Sequence, residues 1–442
     1  MTATAALTAT VVGPRYDLRR PGHPGGYCSR SRAMRVCFVS PTGAAGGGEK
    51  SMIDLIDALL RRGVECRGIV PRHDYVAQQM AQRQVPFGVV KYHPWVGPDI
   101  QPLHGVRRAG KILLRIGRAA RVAQVARKWR CDVMVTNTLD IMEGAVAAAM
   151  LRTPHITHVR EFGDLDHGWG FELGARRQMS ILARLSRLCV LNSHAVAAHH
   201  AATVPAAKRR VIYNACLVPE RYAQARAALP DRAGPLWCVI TGHVSASKGQ
   251  DQAVAALARV RQTGRDVRLR VIGGGPALPA LRRRVAELGL EAWVDLTGYL
   301  QEPYEMMRTA EVALMCSRCE AFGRVAIEAM KLGLPVIGSA SGGTVEQIRD
   351  GFNGWLYRPD DVADLADKIA HLADHRDTVI AMGAQAQRWA WQTFNLDRYG
   401  EQMLAVLHEC VRAKPGQQPQ LDSHSQRDAA ATRAESAADK RE

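Results

Sequence analysis

Short apolar strands alternate with helical segments twice along this chain, and that repeated alternation limits the fold more than any other feature. Strands of the first run are predicted at residues 35–40, 64–70, 131–136, 155–159, 188–191 and 211–213. Strands of the second run are predicted at residues 236–241, 267–272, 293–296, 312–315 and 335–338. Alternating strands and helices favour parallel sheets with helices on both faces. The sequence therefore predicts an α/β fold with two doubly wound domains.

A proline-containing segment with little periodicity, residues 215–235, separates the two runs and predicts a linker. We expect a first domain over residues 34–214, a second over 236–395, and a helix over 396–413 that crosses back to the first. Residues 1–33 and 414–442 lack periodicity and predict a disordered extension and a flexible tail. Met34 directly precedes the first strand and is a candidate start. Two facing domains leave a cleft, where ligands usually bind.

The formal net charge of +17 is concentrated in one segment. Residues 107–130 carry nine lysines and arginines and no acid, with apolar residues between them at near-helical spacing. A basic amphipathic helix commonly lies on an anionic membrane surface, although a solvated helix face is the alternative. No nucleic-acid-binding motif accompanies the charge, so we do not expect a nucleic-acid partner.

The cellular location follows from the cysteines and from what the sequence lacks. Ten cysteines without paired spacing are typical of a reduced compartment, and no signal sequence or bilayer-spanning run is recognisable. We therefore expect a cytoplasmic protein, with a peripheral position on the inner face of the cell membrane as an option. Cys316 and Cys319 have C-x-x-C spacing, but no second pair or histidine cluster accompanies them, so no metal site is expected.

Two carboxylates eight positions apart, Glu320 and Glu328, bracket a Phe-Gly turn between a predicted strand and a predicted helix. Backbone N–H groups at a helix start favour an anion, and carboxylates accept hydrogen bonds from hydroxyl groups. This arrangement suits a ligand with phosphates in its middle and hydroxyl-rich groups at both ends, as in a nucleotide sugar. Gly342 and Gly343, before Glu346, predict a second helix start with free backbone donors.

Three further segments are predicted to reach the cleft. Gly47 and Gly48 allow a ligand to approach the backbone at the start of the first helix. Lys248 can meet a diphosphate, with Gly249 freeing the backbone beside it. His158, together with Arg160 and Glu161, ends a first-domain strand on the cleft side.

These residues give the chain a family likeness over roughly residues 35–395. Glu320 and Glu328, with Phe322 and Gly323 between them, resemble the E-x7-E motif of the retaining glycosyltransferases of family 4. Residues 341–346 and 350–356 resemble the two signatures that follow this motif. Residues 47–49 match the family's first-domain loop, 158–162 resemble a subgroup reading H-x-R-E-F, and 212–214 match the end of the first domain.

The resemblance implies a GT-B architecture, in which two Rossmann-like domains face a central cleft. It implies metal-independent transfer of a sugar from a UDP- or GDP-sugar to a glycan, lipid-linked or small-molecule acceptor, in polysaccharide or glycolipid biosynthesis. Glu320 would contact the sugar near the reacting carbon and Glu328 the ribose. Lys248 and Gly249 would hold the diphosphate.

Other roles implied by the resemblance lie on both sides of the cleft. The Phe322–Gly323 turn and the amides around Gly323 and Arg324 would support the donor phosphates. His158 would stand near the donor sugar, and the acceptor would enter near Gly47 and Gly48.

One position departs from the family pattern, because His243 stands where an arginine usually shares the diphosphate charge. Arg324 is a candidate cation to compensate for it. Two alternatives remain open at this point. One is a nucleotide-sugar 2-epimerase of the same architecture, and the other is a non-catalytic GT-B binding protein.

Overall fold

Strands and helices alternate along residues 32–42, 45–102, 105–223 and 234–412, the part of the chain that the computed structural model describes. The predicted extension (apart from residues 32 and 33), the predicted tail and residues 224–233 of the predicted linker lie outside these ranges. Residues from Met34 onward belong to one unit.

The strands of the first half, among the described residues, are β1 (Arg35–Val39), β2 (Glu65–Val70), β3 (Phe87–Val89), β4 (Val96–Gly97), β5 (Val133–Asn137), β6 (His155–Val159), β7 (Gly170–Phe171), β8 (Leu188–Leu191) and β9 (Arg209–Val211). The helices of this half are α1 (Gly47–Leu60), α2 (Tyr75–Gln82), α3 (Gly105–Arg127), α4 (Glu143–Leu151), α5 (Ala175–Leu185) and α6 (His194–His199).

The strands of the second half are β10 (Leu236–Thr241), β11 (Val267–Ile272), β12 (Val294–Gly298), β13 (Val312–Met315), β14 (Val336–Ser339) and β15 (Gly354–Tyr357). The helices of this half are α7 (Gln250–Gln262), α8 (Leu278–Glu287), α9 (Tyr304–Arg308), α10 (Arg324–Lys331), α11 (Val362–Asp374), α12 (Arg376–Thr393) and α13 (Leu396–Arg412).

Two parallel sheets confirm the predicted α/β architecture. The first has the order β3-β2-β1-β5-β6-β8-β9 and the second the order β12-β11-β10-β13-β14-β15, while β4 and β7 form a separate antiparallel pair. The direction of winding reverses between β1 and β5 and between β10 and β13. At such a reversal the loops after the strands diverge and leave a crevice at the carboxyl edge of the sheet. The loops after these four strands are therefore placed to form a site.

The central strands are buried because both of their faces are covered. In β1, Val36 and Phe38 belong to the same core cluster as Leu55 and Ile56 of α1. Such apolar, β-branched-rich runs without polar alternation are typical of parallel strands covered on both faces.

The last helix, α13, returns to the first domain. Its Tyr399, Met403 and Leu407 belong to the core cluster of β1 and α1. Gly400 permits this approach, since a Cβ there would lie 3.0 Å from the Ala58 Cβ. The preceding helix, α12, packs on the second domain through Ala386 and Ala390. The C-terminal helices therefore tie the two domains together.

Within the described ranges, no helix combines the length and the apolar character that crossing a bilayer requires.

Candidate active site

An ion pair joins the two loops at the carboxyl edge of the second sheet. The Lys248 Nζ atom lies 2.7 Å from the Glu320 Oε2 atom, and the Ser317 hydroxyl donates to the same oxygen at 3.0 Å. Lys248 ends the short turn after β10, and Glu320 follows β13. The structure therefore brings two predicted site residues together at the point where the sheet reverses direction.

Gly249 is what allows these two loops to touch. Its φ of +68° lies in the left-handed region, and a Cβ at this position would be 2.0 Å from the Cys316 carbonyl oxygen. A side chain would therefore push the Lys248 loop away from the Glu320 loop. Gly249 therefore determines the position of Lys248 relative to Glu320.

The Lys248 side chain is charged and within reach of a ligand. Burial disfavours its charged form, but the adjacent Glu320 carboxylate raises the pKa of Lys248 above its ordinary value. The side chains of Lys248 and Glu320 are 28% and 13% exposed. A partly exposed cation that carries one carboxylate partner can still meet an anionic ligand.

Gly342 and Gly343 brace the main chain of Glu320. The Gly343 N–H donates to the Glu320 carbonyl at 2.6 Å, and a Cβ on Gly342 would lie 2.4 Å from that carbonyl oxygen. The prediction that both glycines offer free backbone donors is therefore wrong for Gly343, whose N–H is already used. These glycines act on the site indirectly, by fixing the Glu320 backbone.

Phe322 and Gly323 lie in the turn between β13 and α10. Phe322 is 5% exposed and stacks on Tyr213 with ring centroids 5.8 Å apart, so it is a core residue at the domain junction and does not line the cleft. Gly323 allows the Met315 side chain to approach the backbone, because a Cβ at position 323 would lie 2.0 Å from the Met315 Cε. The Gln347 side-chain amide, with its nitrogen facing the Gly323 carbonyl, meets the Gly323 N–H and C=O at 3.2 Å each. A phosphate would compete with Gln347 for that N–H.

Arg324 connects the second domain to the first. Its Nη1 atom lies 2.7 Å from the Asp54 Oδ2 atom and also donates to the Ser51 hydroxyl at 2.9 Å. Its Nη2 atom lies 3.5 Å from Glu328 Oε1, and Glu328 is 8% exposed. The guanidinium proposed to compensate for His243 is thus held by Asp54. His243 itself is exposed on the loop after β10.

The glycine-rich loop of the first domain approaches the same region. A Cβ on Gly47 would lie 3.9 Å from the Arg324 Cδ, and a Cβ on Gly48 would lie 3.3 Å from the Thr138 Cγ2. The Asn137 side chain donates to the Gly48 carbonyl at 3.3 Å. The start of α1 therefore faces the second domain and is fixed to the end of β5.

His158 lies near the carboxyl end of β6, in register with Asn137 of β5. The residue is fully buried, and its Nδ1 atom lies 3.2 Å from Arg160 Nη2. Arg160 in turn contacts Asn137, Asn214 and the Tyr399 hydroxyl. Burial, followed by the nearby Arg160 charge, holds the pKa of His158 well below its ordinary value. Its Nε2 atom is buried and has no hydrogen-bond partner among the described residues, so the role of His158 toward the donor stays a prediction.

Buried acids surround the first-domain side of the cleft. Burial raises the pKa of Glu49 to about 7. It also raises the pKa values of Asp140 and Glu161, which repel each other's charge. The Glu161 carboxylate accepts from the Leu139 N–H at 2.5 Å. Sequence reasoning missed Asp140, although a polar residue just after a buried strand was a usable signal.

The 163–169 loop after β6 was also missed. The Asp166 carboxylate accepts from the Phe162 and Gly163 N–H groups at 3.1 and 2.8 Å. His167, with a 43% exposed side chain, stacks on Trp169 at a centroid distance of 4.4 Å. The Asp-His pair lies beyond the H-x-R-E-F segment, where no periodic pattern draws attention to it.

A cavity of about 380 Å³ adjoins this loop. Its lining includes Pro98, Ile100, Gln101, Pro102, Trp169 and Phe171. The volume falls in the range of ligand pockets, which is about 300–1,000 Å³. Trp169 therefore contributes both to the cavity and to the ring stack with His167.

Helix α3 presents an apolar and basic surface. Val106, Leu113 and Leu114 are 88%, 70% and 55% exposed. Arg115 was predicted to lie on the exposed basic face of this helix, but it is buried and paired with Glu143 and Glu172. It fixes the helix to the domain, whereas exposed cations such as Arg121 remain on the surface.

No group of three or more His, Cys, Asp or Glu side chains that could hold a metal ion occurs within the described ranges.

Two family models match this chain. A model described as a glycosyl transferase 4-like domain matches residues 46–215. A model described as glycosyl transferases group 1 matches residues 224–389. The first lies on the first sheet and the second on the second sheet.

Curated relatives share part of the chain. The alpha-D-kanosaminyltransferase of Streptomyces kanamyceticus is 27% identical over 170 residues, which are 38% of this chain and 44% of that protein. The GDP-mannose-dependent alpha-(1-6)-phosphatidylinositol monomannoside mannosyltransferase of Mycobacterium tuberculosis is 33% identical over 169 residues, which are 36% of this chain and 44% of that protein. The chain thus spans less than half the length of these relatives.

Among solved structures, HepE of Anabaena in complex with UDP has a TM-score of 0.69 to this chain at 23% identity. The match covers 85% of this chain and 100% of that chain. This likeness confirms the predicted GT-B fold.

Proposed function

This chain belongs to the glycosyltransferases that join a 4-like domain to a group 1 domain, and on that premise we propose that it transfers a sugar from a UDP- or GDP-sugar with retention of anomeric configuration. The observation that carries the proposal is the 2.7 Å pair of Lys248 and Glu320 at the reversal point of the second sheet. A cation beside a carboxylate suits a donor that carries a diphosphate next to a polyhydroxy ring.

In the proposed reaction, the bond between the anomeric carbon and the diphosphate oxygen breaks, and its electron pair stays with the diphosphate. An acceptor oxygen bonds to the same face of the carbon, and its proton passes to the departing phosphate oxygen. Lys248 stabilises the charge that develops on the leaving group. Glu320 orients the sugar, and Glu328 accepts from the ribose hydroxyls. No protein nucleophile and no metal ion are required by this scheme.

The acceptor is proposed to be a glycan or a lipid-linked sugar that reaches the cleft from the first domain. The mycobacterial relative is named for a phosphatidylinositol mannoside acceptor, which supports a membrane-associated substrate. The exposed apolar residues of α3, flanked by basic side chains such as Arg118 and Arg121, suit an anionic lipid surface. We therefore propose that the protein binds peripherally, through α3, to the cytoplasmic face of a membrane.

The test begins with UDP and GDP in a thermal unfolding assay, because a ligand of the native state raises the unfolding temperature. The nucleotide that binds selects the donor sugars whose slow hydrolysis is then measured. Glu320→Gln should reduce hydrolysis at least about 100-fold, in the range seen when one transition-state contact is removed, while nucleotide binding persists. Glu305→Gln, a carboxylate of α9, serves as control and should hydrolyse the donor at the wild-type rate. Interconversion of a sugar nucleotide without an acceptor would indicate an epimerase instead.

A further inference from the structure

The 163–169 loop of the first domain lies against the Glu320 segment of the second. Cys319 and Ala321, which flank Glu320 in sequence, belong to the same hydrophobic cluster as Phe162 and Phe171, which flank the loop. The loop is therefore packed into the same core as the residues that flank Glu320, and Cys319 lies close enough to Asp166 to interact with its charge. His167 lies within this loop.

The loop holds His167 in a defined orientation. Both oxygens of Asp166 accept backbone N–H groups, and the Trp169 N–H donates to the Gly163 carbonyl at 2.9 Å. Gly163 is required at this turn, since its φ is +93° and a Cβ would lie 2.8 Å from the Phe171 Cζ. One face of the imidazole is covered by Trp169, with 15° between the ring planes. The remaining 43% of the His167 side chain is open.

The charges near His167 come from both domains. Partial desolvation lowers the pKa of His167, the carboxylates of Asp166 and Glu320 raise it, and Lys248 lowers it further. The lowered pKa leaves the imidazole neutral at neutral pH. A neutral imidazole has one donor nitrogen and one acceptor nitrogen, a combination that matches a sugar hydroxyl.

We propose that His167 is the first-domain residue that hydrogen-bonds a hydroxyl of the transferred sugar, across the cleft from Lys248 and Glu320. The inference rests on the proposed function and refines it. The sugar is clasped between a second-domain ion pair and a ring from the first domain, so transfer requires both domains.

The test compares the binding of a nucleoside diphosphate with that of its sugar nucleotide by titration calorimetry, using the nucleotide that stabilises the wild type. His167→Ala should bind the free diphosphate within about two-fold of wild type but the sugar nucleotide about tenfold more weakly, as for one lost hydrogen bond. His167→Gln, whose amide nitrogen can replace the ring Nε2, should recover part of the difference. His408→Ala, on the exposed side of α13, is the matched control and should change neither affinity.

The outcomes separate this inference from the proposed function. If the wild type binds neither UDP nor GDP, the proposed function is wrong and this role of His167 is wrong with it. If the wild type binds and His167→Ala keeps the full preference for the sugar nucleotide, only the role of His167 is overturned. Equal weakening for the diphosphate and the sugar nucleotide would also overturn it, because it would indicate distortion of the cleft.

Discussion

The Arg324 guanidinium of α10 donates to the Asp54 carboxylate of α1 at 2.7 Å, and so links the helix of the donor motif to the first helix of the facing domain. The two side chains are 11% and 8% exposed. Arg324 also lies beside Glu328, the residue proposed to bind the ribose. The contact that links the two domains is therefore made by Arg324, which lies beside the proposed ribose-binding residue Glu328.

Asp54→Ala should destabilise the protein markedly, because it removes the shorter of the two ion pairs of the buried Arg324 guanidinium. Removing one member of a buried pair costs about 3–5 kcal/mol of unfolding free energy. Urea unfolding followed by circular dichroism measures it. Asp57→Ala is the control on the same helix, since Asp57 pairs with Arg83 at a partly exposed position and should cost about 1 kcal/mol or less. Equal losses in the two variants would contradict a special role for the Arg324 contact.

Lys248→Ala should weaken binding of the nucleoside diphosphate, because it removes the cation that is proposed to meet the phosphates. Charge-assisted hydrogen bonds contribute about 1.5–3 kcal/mol, which corresponds to a loss of roughly 10- to 150-fold in affinity. Titration with UDP and GDP measures the loss. Lys248→Arg should retain part of the affinity, and full retention in Lys248→Ala would show that the diphosphate binds elsewhere.

The fold was predictable because its signal is local. A strand such as β10 is recognised from six consecutive residues, Leu236–Thr241, whose apolar character follows from burial on both faces. Lys248 and Glu320 were predictable for a related reason. Each lies in the loop after a strand of the same parallel sheet, and the carboxyl ends of such strands meet at the same edge.

Contacts between distant segments were not predictable. Arg160, two residues after His158, reaches Tyr399, which is 239 positions away on α13. The Phe322 ring lies against Tyr213 and Phe394, which come from two other segments. Such burial depends on how α13 and the domain junction fold back, and no periodic pattern within either segment encodes it.

Glu49 predicts a dependence of stability on pH. Burial raises its pKa from 4.5 to about 7 in the folded protein. Between these pH values the folded chain keeps a proton that the unfolded chain has lost. The stabilisation that protonated Glu49 gives to the folded state, relative to the ionised form, is therefore fully present below pH 4.5. It is lost as pH rises through 7, and the unfolding free energy falls by at most about 1.4 kcal/mol per pH unit.

Glu49→Gln replaces the carboxyl group with an amide that does not titrate. The unfolding free energy of Glu49→Gln, minus that of the wild type, should therefore increase as pH rises from 5 to 8. Urea titrations at each pH unit measure this difference. Glu401→Gln, an exposed position on α13, is the control and should show a constant difference. A difference for Glu49→Gln that does not change with pH would mean that the carboxyl group titrates normally.

The exposed face of α3 gives the last prediction, which concerns membrane binding. Leu113→Ser combined with Leu114→Ser should reduce binding to anionic phosphatidylglycerol vesicles about tenfold or more, because two largely exposed apolar side chains can no longer enter the interface. Arg118→Glu combined with Arg121→Glu should reduce binding as well, and added salt should weaken the wild type, because screening shortens the reach of the charges.

Vesicle sedimentation measures the bound fraction for each α3 variant. Val411→Ser is the matched control, since Val411 is an exposed apolar residue on α13. Arg115 is not a suitable test position, because its buried ion pairs with Glu143 and Glu172 hold α3 on the domain. A substitution there would disturb the packing of α3 as well as its charge. If both double variants sediment with vesicles as the wild type does, membrane binding through α3 is contradicted. Donor hydrolysis should be the same in the wild type and in the α3 variants, because α3 contributes no residue to the Lys248–Glu320 pair.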